Sequence, residues 1–169
     1  MAGGFKNKEL NILFKKRTLE EIIEFAKRMG FKKIGIATCF GLIEESRIFA
    51  QILRKNGLEP YAALCKVGAL NKTDIGVREE FTKQTGNALC NPIMQAKSLE
   101  KAGTDLNVVV GLCVGHDSLF YKYSNTLTTT LITKDRVLAH NPVGALYQTK
   151  AYYKKLLGGS MFEEKKDGR

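Results

Sequence analysis

No stretch of this sequence is apolar for the roughly 18 residues that a membrane-spanning helix needs, so no membrane association is expected. The N-terminus carries Lys6, Lys8, Lys15, Lys16 and Arg17 but no sustained apolar segment of the kind a secretory signal requires, and a cytoplasmic location is expected. Tryptophan is missing, proline occurs three times and histidine twice. The phosphate loops GxGxxG and GxxxxGKS/T are absent, as is the GxSxG turn of serine hydrolases. Nothing therefore points to a nucleotide cofactor or a serine nucleophile. No two cysteines stand in a CxxC pair, which removes the usual pattern of a structural zinc site. Basic and aromatic residues are not interleaved in any RNA-binding motif, and no nucleic-acid partner is expected.

What is present is the composition of an ordinary globular protein, with 44% apolar and 26% charged residues. A chain of 169 residues accommodates one domain with a sizeable core. Lys and Arg total 27 against 17 Asp and Glu, a net charge of +10. This raises the question of an anionic partner without naming one. Binding through that charge would be steeply salt-dependent.

The chain reads as a basic lead-in over residues 1–17, an α/β domain over 18–157 and a charged tail over 158–169. The lead-in allows a turn of helix around Leu10 to Phe14. Thr18 and Glu21 form a capping box for a helix that Gly30 ends. A β-type run from Lys33 to Cys39 follows, then a helix from Ile43 to Asn56 stopped by Gly57, then a strand from Pro60 to Cys65. Residues 66–86 lack periodicity, and a loop of that length in a compact domain is often functional. Asn91-Pro92 is a strong helix start for Ile93 to Ala102. Leu106 to Cys113 is the clearest buried strand. A short helix is expected over Asp117 to Tyr123, with Asp117 as its cap, and strands over Leu127 to Thr133 and Val137 to Ala139. Asn141-Pro142 predicts a last helix running to about Leu157. This βαβ alternation predicts a mostly parallel sheet with helices on both faces, a Rossmann-like or flavodoxin-like three-layer fold.

The four cysteines carry the chemistry. Cys39, Cys65 and Cys113 are each expected at the carboxyl end of a strand, the edge where open parallel sheets bind ligands. Cys90 adjoins the Asn91-Pro92 helix start. One rim of one sheet can thus gather all four, and thiolates suit Zn²⁺ and iron–sulfur clusters. Buried thiols without metal are the plainer reading. His116 follows Cys113 closely and is a candidate ligand, acid–base group or anion donor. His140 is expected to be a turn residue hydrogen-bonded to the backbone.

The runs Thr18 to Cys39 (TLEEIIEFAKRMGFKKIGIATC), Cys90 to Ile93 (CNPI), Thr104 to Tyr123 (TDLNVVVGLCVGHDSLFYKY) and Lys134 to Tyr147 (KDRVLAHNPVGALY) resemble the domain-of-unknown-function family 1847. The resemblance covers about residues 18–157. It implies a metal-binding protein of the kind found in anaerobic archaea and bacteria, and no defined reaction. Members often open with a cysteine-rich box, whereas this chain has no cysteine before Cys39. A second cysteine often accompanies the one at Cys65, and Val67 stands in its place here.

Residues and resemblance together lead to an expected iron–sulfur cluster on Cys39, Cys90 and Cys113, with Cys65 as a fourth ligand or a reactive thiol. His116 and Asp117 would line the open side, and Cys65, His116 and Asp117 are the candidate catalytic residues. The expected role is redox or sulfur transfer, with an electron-transfer protein or a small sulfur-containing molecule as partner. The rival readings are a non-catalytic zinc or small-ligand module and a metal-free enzyme with a cysteine nucleophile and His116 as its base.

Overall fold

A computed structural model of the chain describes residues 16–83 and 86–158. The turn expected around Leu10 to Phe14 lies outside the described residues, as does nearly all of the charged tail. The elements run α1 (Thr18–Arg28), β1 (Lys33–Thr38), α2 (Ile43–Lys55), β2 (Glu59–Leu64), α3 (Pro92–Lys101), β3 (Leu106–Val110), α4 (His116–Tyr123), β4 (Thr128–Ile132) and α5 (Val143–Tyr147). The four strands form one sheet in the order β2-β1-β3-β4, with every neighbouring pair parallel. Among the described residues no helix is long and apolar enough to cross a membrane.

Strand alternation explains the layers. Ile34 and Ile36 of β1 and Leu106, Val108 and Val110 of β3 face Ile22, Ile23 and Ala26 of α1 and Phe49 and Leu53 of α2. Ala37 and Val109, on the opposite side, meet Ala96 and Leu99 of α3 and Phe120 of α4. Helices thus cover both faces, as the βαβ alternation predicts. Gly35 allows a close approach in the sheet, because a Cβ there would come within 2.1 Å of Asn107 Oδ1. That wholly buried amide is satisfied: Thr104 Oγ1 donates to its oxygen at 2.8 Å and its nitrogen donates to Ser124 Oγ at 3.0 Å.

Several boundaries differ from the sequence reading. Thr18 is already helical, and Arg17 is the N-cap, its N–H donating to Glu20 Oε2 at 2.7 Å. The Thr18–Glu21 box therefore gives way to a closure one residue earlier. Asn91 caps α3 as expected, its Oδ1 accepting from the Met94 N–H at 2.9 Å, with Pro92 at the first helical position. Strand β2 stops at Leu64 and β3 at Val110, so Cys65 follows its strand and Cys113 lies three residues beyond. The β4 strand is limited to Thr128–Ile132.

The expected strand at Val137 to Ala139 is a turn. Asp135 Oδ1 accepts from the Val137 and Leu138 N–H groups at 2.9 and 2.8 Å, and Ala139 and His140 take φ values of 50° and 62°. The long helix expected after Asn141-Pro142 is also absent. Helix α5 is one short turn, followed by turns and a 3₁₀ segment at Lys154–Leu157. Residues 66–83 and 86–89 belong to an excursion with 3₁₀ turns at Thr73–Ile75 and Glu79–Phe81. An antiparallel bridge between Asn71 and Ala88 closes its neck, with the Leu89 N–H donating to the Leu70 carbonyl at 2.8 Å.

Candidate functional site

Sheet register brings the first two cysteines side by side. Thr38 and Leu64 are the last paired residues of β1 and β2, and Cys39 and Cys65 are the residues that follow them. Ladder bonds continue past the strand ends: the Cys65 N–H donates to the Thr38 carbonyl at 2.9 Å and the Cys39 N–H to the Val110 carbonyl at 3.2 Å. The Asn91 N–H donates to the Cys65 carbonyl at 2.7 Å, which draws Cys90 to the same edge. Gln95 of α3 braces this edge from beneath. Its Nε2 donates to the carbonyls of Thr38 and Ala63 at 3.1 and 2.8 Å, and its Oε1 is buried without a hydrogen-bond partner.

Gly111 directs the fourth cysteine. It follows β3 with φ 59°, and a Cβ there would meet Leu42 Cδ1 at 2.0 Å. The chain turns at this point and Cys113 ends one turn ahead of α4, its carbonyl accepting from the His116 and Asp117 N–H groups at 2.9 and 3.1 Å.

Cys65 is buried, whereas Cys39, Cys90 and Cys113 are partly exposed, and all four are free thiols. The Cys65 sulfur adjoins those of Cys39 and Cys90 and interacts with both. The Phe40 N–H donates to Cys65 Sγ at 3.3 Å, and the next amide, that of Gly41, acts on Cys39. Successive amides aimed at sulfur favour the anionic form. Burial alone would push the Cys39 thiol up; the Gly41 N–H, the Lys134 ammonium and the Cys65 thiol outweigh it, and the net shift is downward. Cys65 moves the other way. Burial pushes it up to about 12, against the Phe40 N–H and with added repulsion from Cys90 and Cys39.

Two cations adjoin the thiols, and no sequence motif marks them. Arg136 donates from its guanidinium to Cys113 Sγ at 3.0 Å. That bond, then the charge at Cys113 and, more weakly, at Cys39 and Cys90, holds Arg136 more firmly protonated. Arg136 thus links Cys113 to Cys39 and Cys90. The Lys134 stem passes over Gly111, with Cε 3.7 Å from where a Cβ would stand. Among the described residues, neither cation is ion-paired with a carboxylate.

His116 is the first residue of α4 and is partly exposed, and its imidazole makes no hydrogen bond among the described residues. Asp117 is not an external cap. It sits inside the first turn, and its Oδ1 accepts from the Gly115 and Ser118 N–H groups at 3.0 and 2.7 Å. His140 is a turn residue as expected, its Nδ1 accepting from the Asp135 N–H at 3.1 Å.

Among the described residues no group of three or more His, Cys, Asp and Glu side chains is set to hold a single metal ion. The thiols interact without closing around one point. Thiol donors with N–H groups and cations directed at their sulfurs are nonetheless the donor set of a thiolate-held cluster. Thiolates suit both Zn²⁺ and iron–sulfur clusters.

Dph2 from Pyrococcus horikoshii, solved with a 4Fe-4S cluster, is 19% identical, with a TM-score of 0.44. A second structure of that protein gives 19% and 0.43. Both overlays cover 83% of this chain, which spans 33% of the Dph2 chain. Likeness this slight has no bearing on the chemistry. "Uncharacterized protein MJ0455" of Methanocaldococcus jannaschii is 54% identical over 151 residues, covering 89% of this chain and 77% of the relative. Residues 5–131 match the model of the family described as protein of unknown function DUF1847, and the chain belongs to that family.

Proposed function

We propose that this chain holds an iron–sulfur cluster on Cys39, Cys65, Cys90 and Cys113 at the carboxyl rim of its sheet, and serves in redox or sulfur-transfer chemistry in the cytoplasm. One observation carries the reading. Cys39, Cys65 and Cys90, from segments far apart in sequence, pack together at one edge, Arg136 bonds Cys113 beside them, and neither Arg136 nor Lys134 has a carboxylate partner among the described residues. When bound, such a cluster supplies one-electron chemistry or an iron able to take a sulfur ligand.

The remaining work falls to the chain's own groups. Lys134 and Arg136 offset the negative charge that several thiolates bring into a partly buried edge. The Phe40 and Gly41 amides direct their dipoles at sulfur, one of the levers by which a protein sets a reduction potential. Gln95 holds the two strand ends from which Cys39 and Cys65 emerge. His116, with its imidazole unengaged among the described residues, is the candidate for moving a proton at the rim; the Asp117 carboxylate is already spent on backbone amides. The partner in this reading is an electron-transfer protein or a small sulfur-containing molecule.

The test is purification without oxygen, followed by the visible spectrum and the iron, zinc and acid-labile sulfide contents. A brown protein with iron and sulfide is expected, and Cys113→Ala should abolish loading. Full metal content in that variant, or a colourless metal-free wild type, overturns the reading. Stoichiometric zinc replaces it with a non-catalytic zinc module.

A further inference from the structure

Cys39 and Cys65 stand in a relationship that metal binding alone does not require. Each lies one residue beyond the last paired position of adjacent parallel strands, Thr38 opposite Leu64. The bond from the Cys65 N–H to the Thr38 carbonyl, at 2.9 Å, holds that register beyond the strand ends. Neighbouring strands put such residues about 4.8 Å apart at Cα, inside the roughly 4.4–6.8 Å that a disulfide spans. Thr38 turns its hydroxyl toward α2, where Ser46 donates to it at 2.6 Å. The residue after it therefore faces the α3 side, where Cys39 and Cys65 belong to one packed cluster. Their thiols adjoin one another.

We propose that Cys39 and Cys65 form a dithiol–disulfide couple that exchanges with small-molecule disulfides and governs whether the rim can take up metal. This second clause rests on the proposed metal site; the first does not. Cys39 is the entry point because it is partly exposed, while Cys65 is 3% exposed. The Cys39 sulfur, as thiolate, attacks one sulfur of a disulfide RSSR, forming a mixed disulfide and releasing RS⁻. Cys65 then gives up its proton and attacks the Cys39 sulfur, and the second RS⁻ leaves. The balance is two protein thiols plus RSSR giving one protein disulfide plus two RSH: the protein pair is oxidised and the small disulfide reduced. Closure removes two of the four thiolate donors.

The test begins with metal-free full-length protein and oxidised glutathione. Remaining thiols are alkylated, and the digest is mapped by mass spectrometry. A peptide linking Cys39 to Cys65, with Cys90 and Cys113 alkylated, is expected. Alkylated Cys39 and Cys65, or a link to any other cysteine, overturns the couple. Wild-type protein suffices, so folding of a variant is not at issue. Oxidised and re-reduced samples are then incubated anaerobically with iron and sulfide. Loading confined to the re-reduced sample is expected, and equal loading of both overturns the control of uptake. A correct link with no loading in either sample removes the metal site and leaves the couple standing.

Discussion

The guanidinium of Arg136 donates to the sulfur of Cys113 at 3.0 Å, so a charged residue of the loop after β4 holds a thiol of the loop after β3. Arg136 lies on the surface, and its contribution to folding is small. Arg136→Gln should leave the urea midpoint of the metal-free protein where it is, yet speed the loss of iron to a chelator several-fold. Unchanged chelator kinetics would show that the guanidinium has no hold on the site.

Gly111 meets two separate demands, a left-handed backbone and close contact with Leu42. Gly111→Ala should cost about 2–5 kcal/mol, the sum of left-handed strain and forced packing. Gly57, with φ 78° and nothing within 4 Å of where its Cβ would stand, faces the first demand alone, and Gly57→Ala should cost about 1–2 kcal/mol. Urea denaturation of both variants measures the difference. Equal losses would mean that Leu42 yields freely.

Asp105 joins the starts of β1 and β3, its Oδ2 accepting from the Lys33 and Lys32 N–H groups at 2.8 and 2.9 Å. Those amides, Lys33 first, hold its carboxyl below the usual aspartate value. A depressed folded-state value means that its contribution is complete above the unfolded value of about 3.9 and is lost as pH falls through the folded one. Asp105→Asn should therefore be less stable than wild type at neutral pH, and the gap should close below about pH 4. Urea midpoints across that range test this, and a gap that persists at the acid end would assign the loss to packing.

The local and periodic features of the fold could be read from sequence. Asn91-Pro92 starts α3 because a capping amide and a preset φ act within one turn. The strands β1 and β3 follow from short apolar runs that are buried on both faces. Cys39 and Cys65 could be assigned to a rim because each ends a run that must be a strand. Cys113 was harder, since the left-handed turn at Gly111 ends β3 early and carries the cysteine away from it.

Lys134 and Arg136 gave no local signal. A lysine and an arginine read as solvated surface, and their reach to Cys39 and Cys113 exists only once β4 lies beside β3. The Val137 to Ala139 strand failed because Asp135 captures two amides into a turn. The final helix failed because an N-cap and a proline start a helix but do not extend it. Leu146, Tyr147 and Tyr152 are exposed, so no apolar stripe is buried along that segment to hold further turns together.

The bridge between Asn71 and Ala88 uncouples the excursion from the thiol edge. It closes the excursion near its base, while Cys65 and Cys90 are joined directly beneath it through the Asn91 N–H. The tip, with Ile75 and Phe81 facing outward, is therefore relieved of any duty to position sulfur. A substitution at Ile75 or Phe81 should leave the thiol edge as it is, and new surfaces can be tried there at no cost to sulfur geometry.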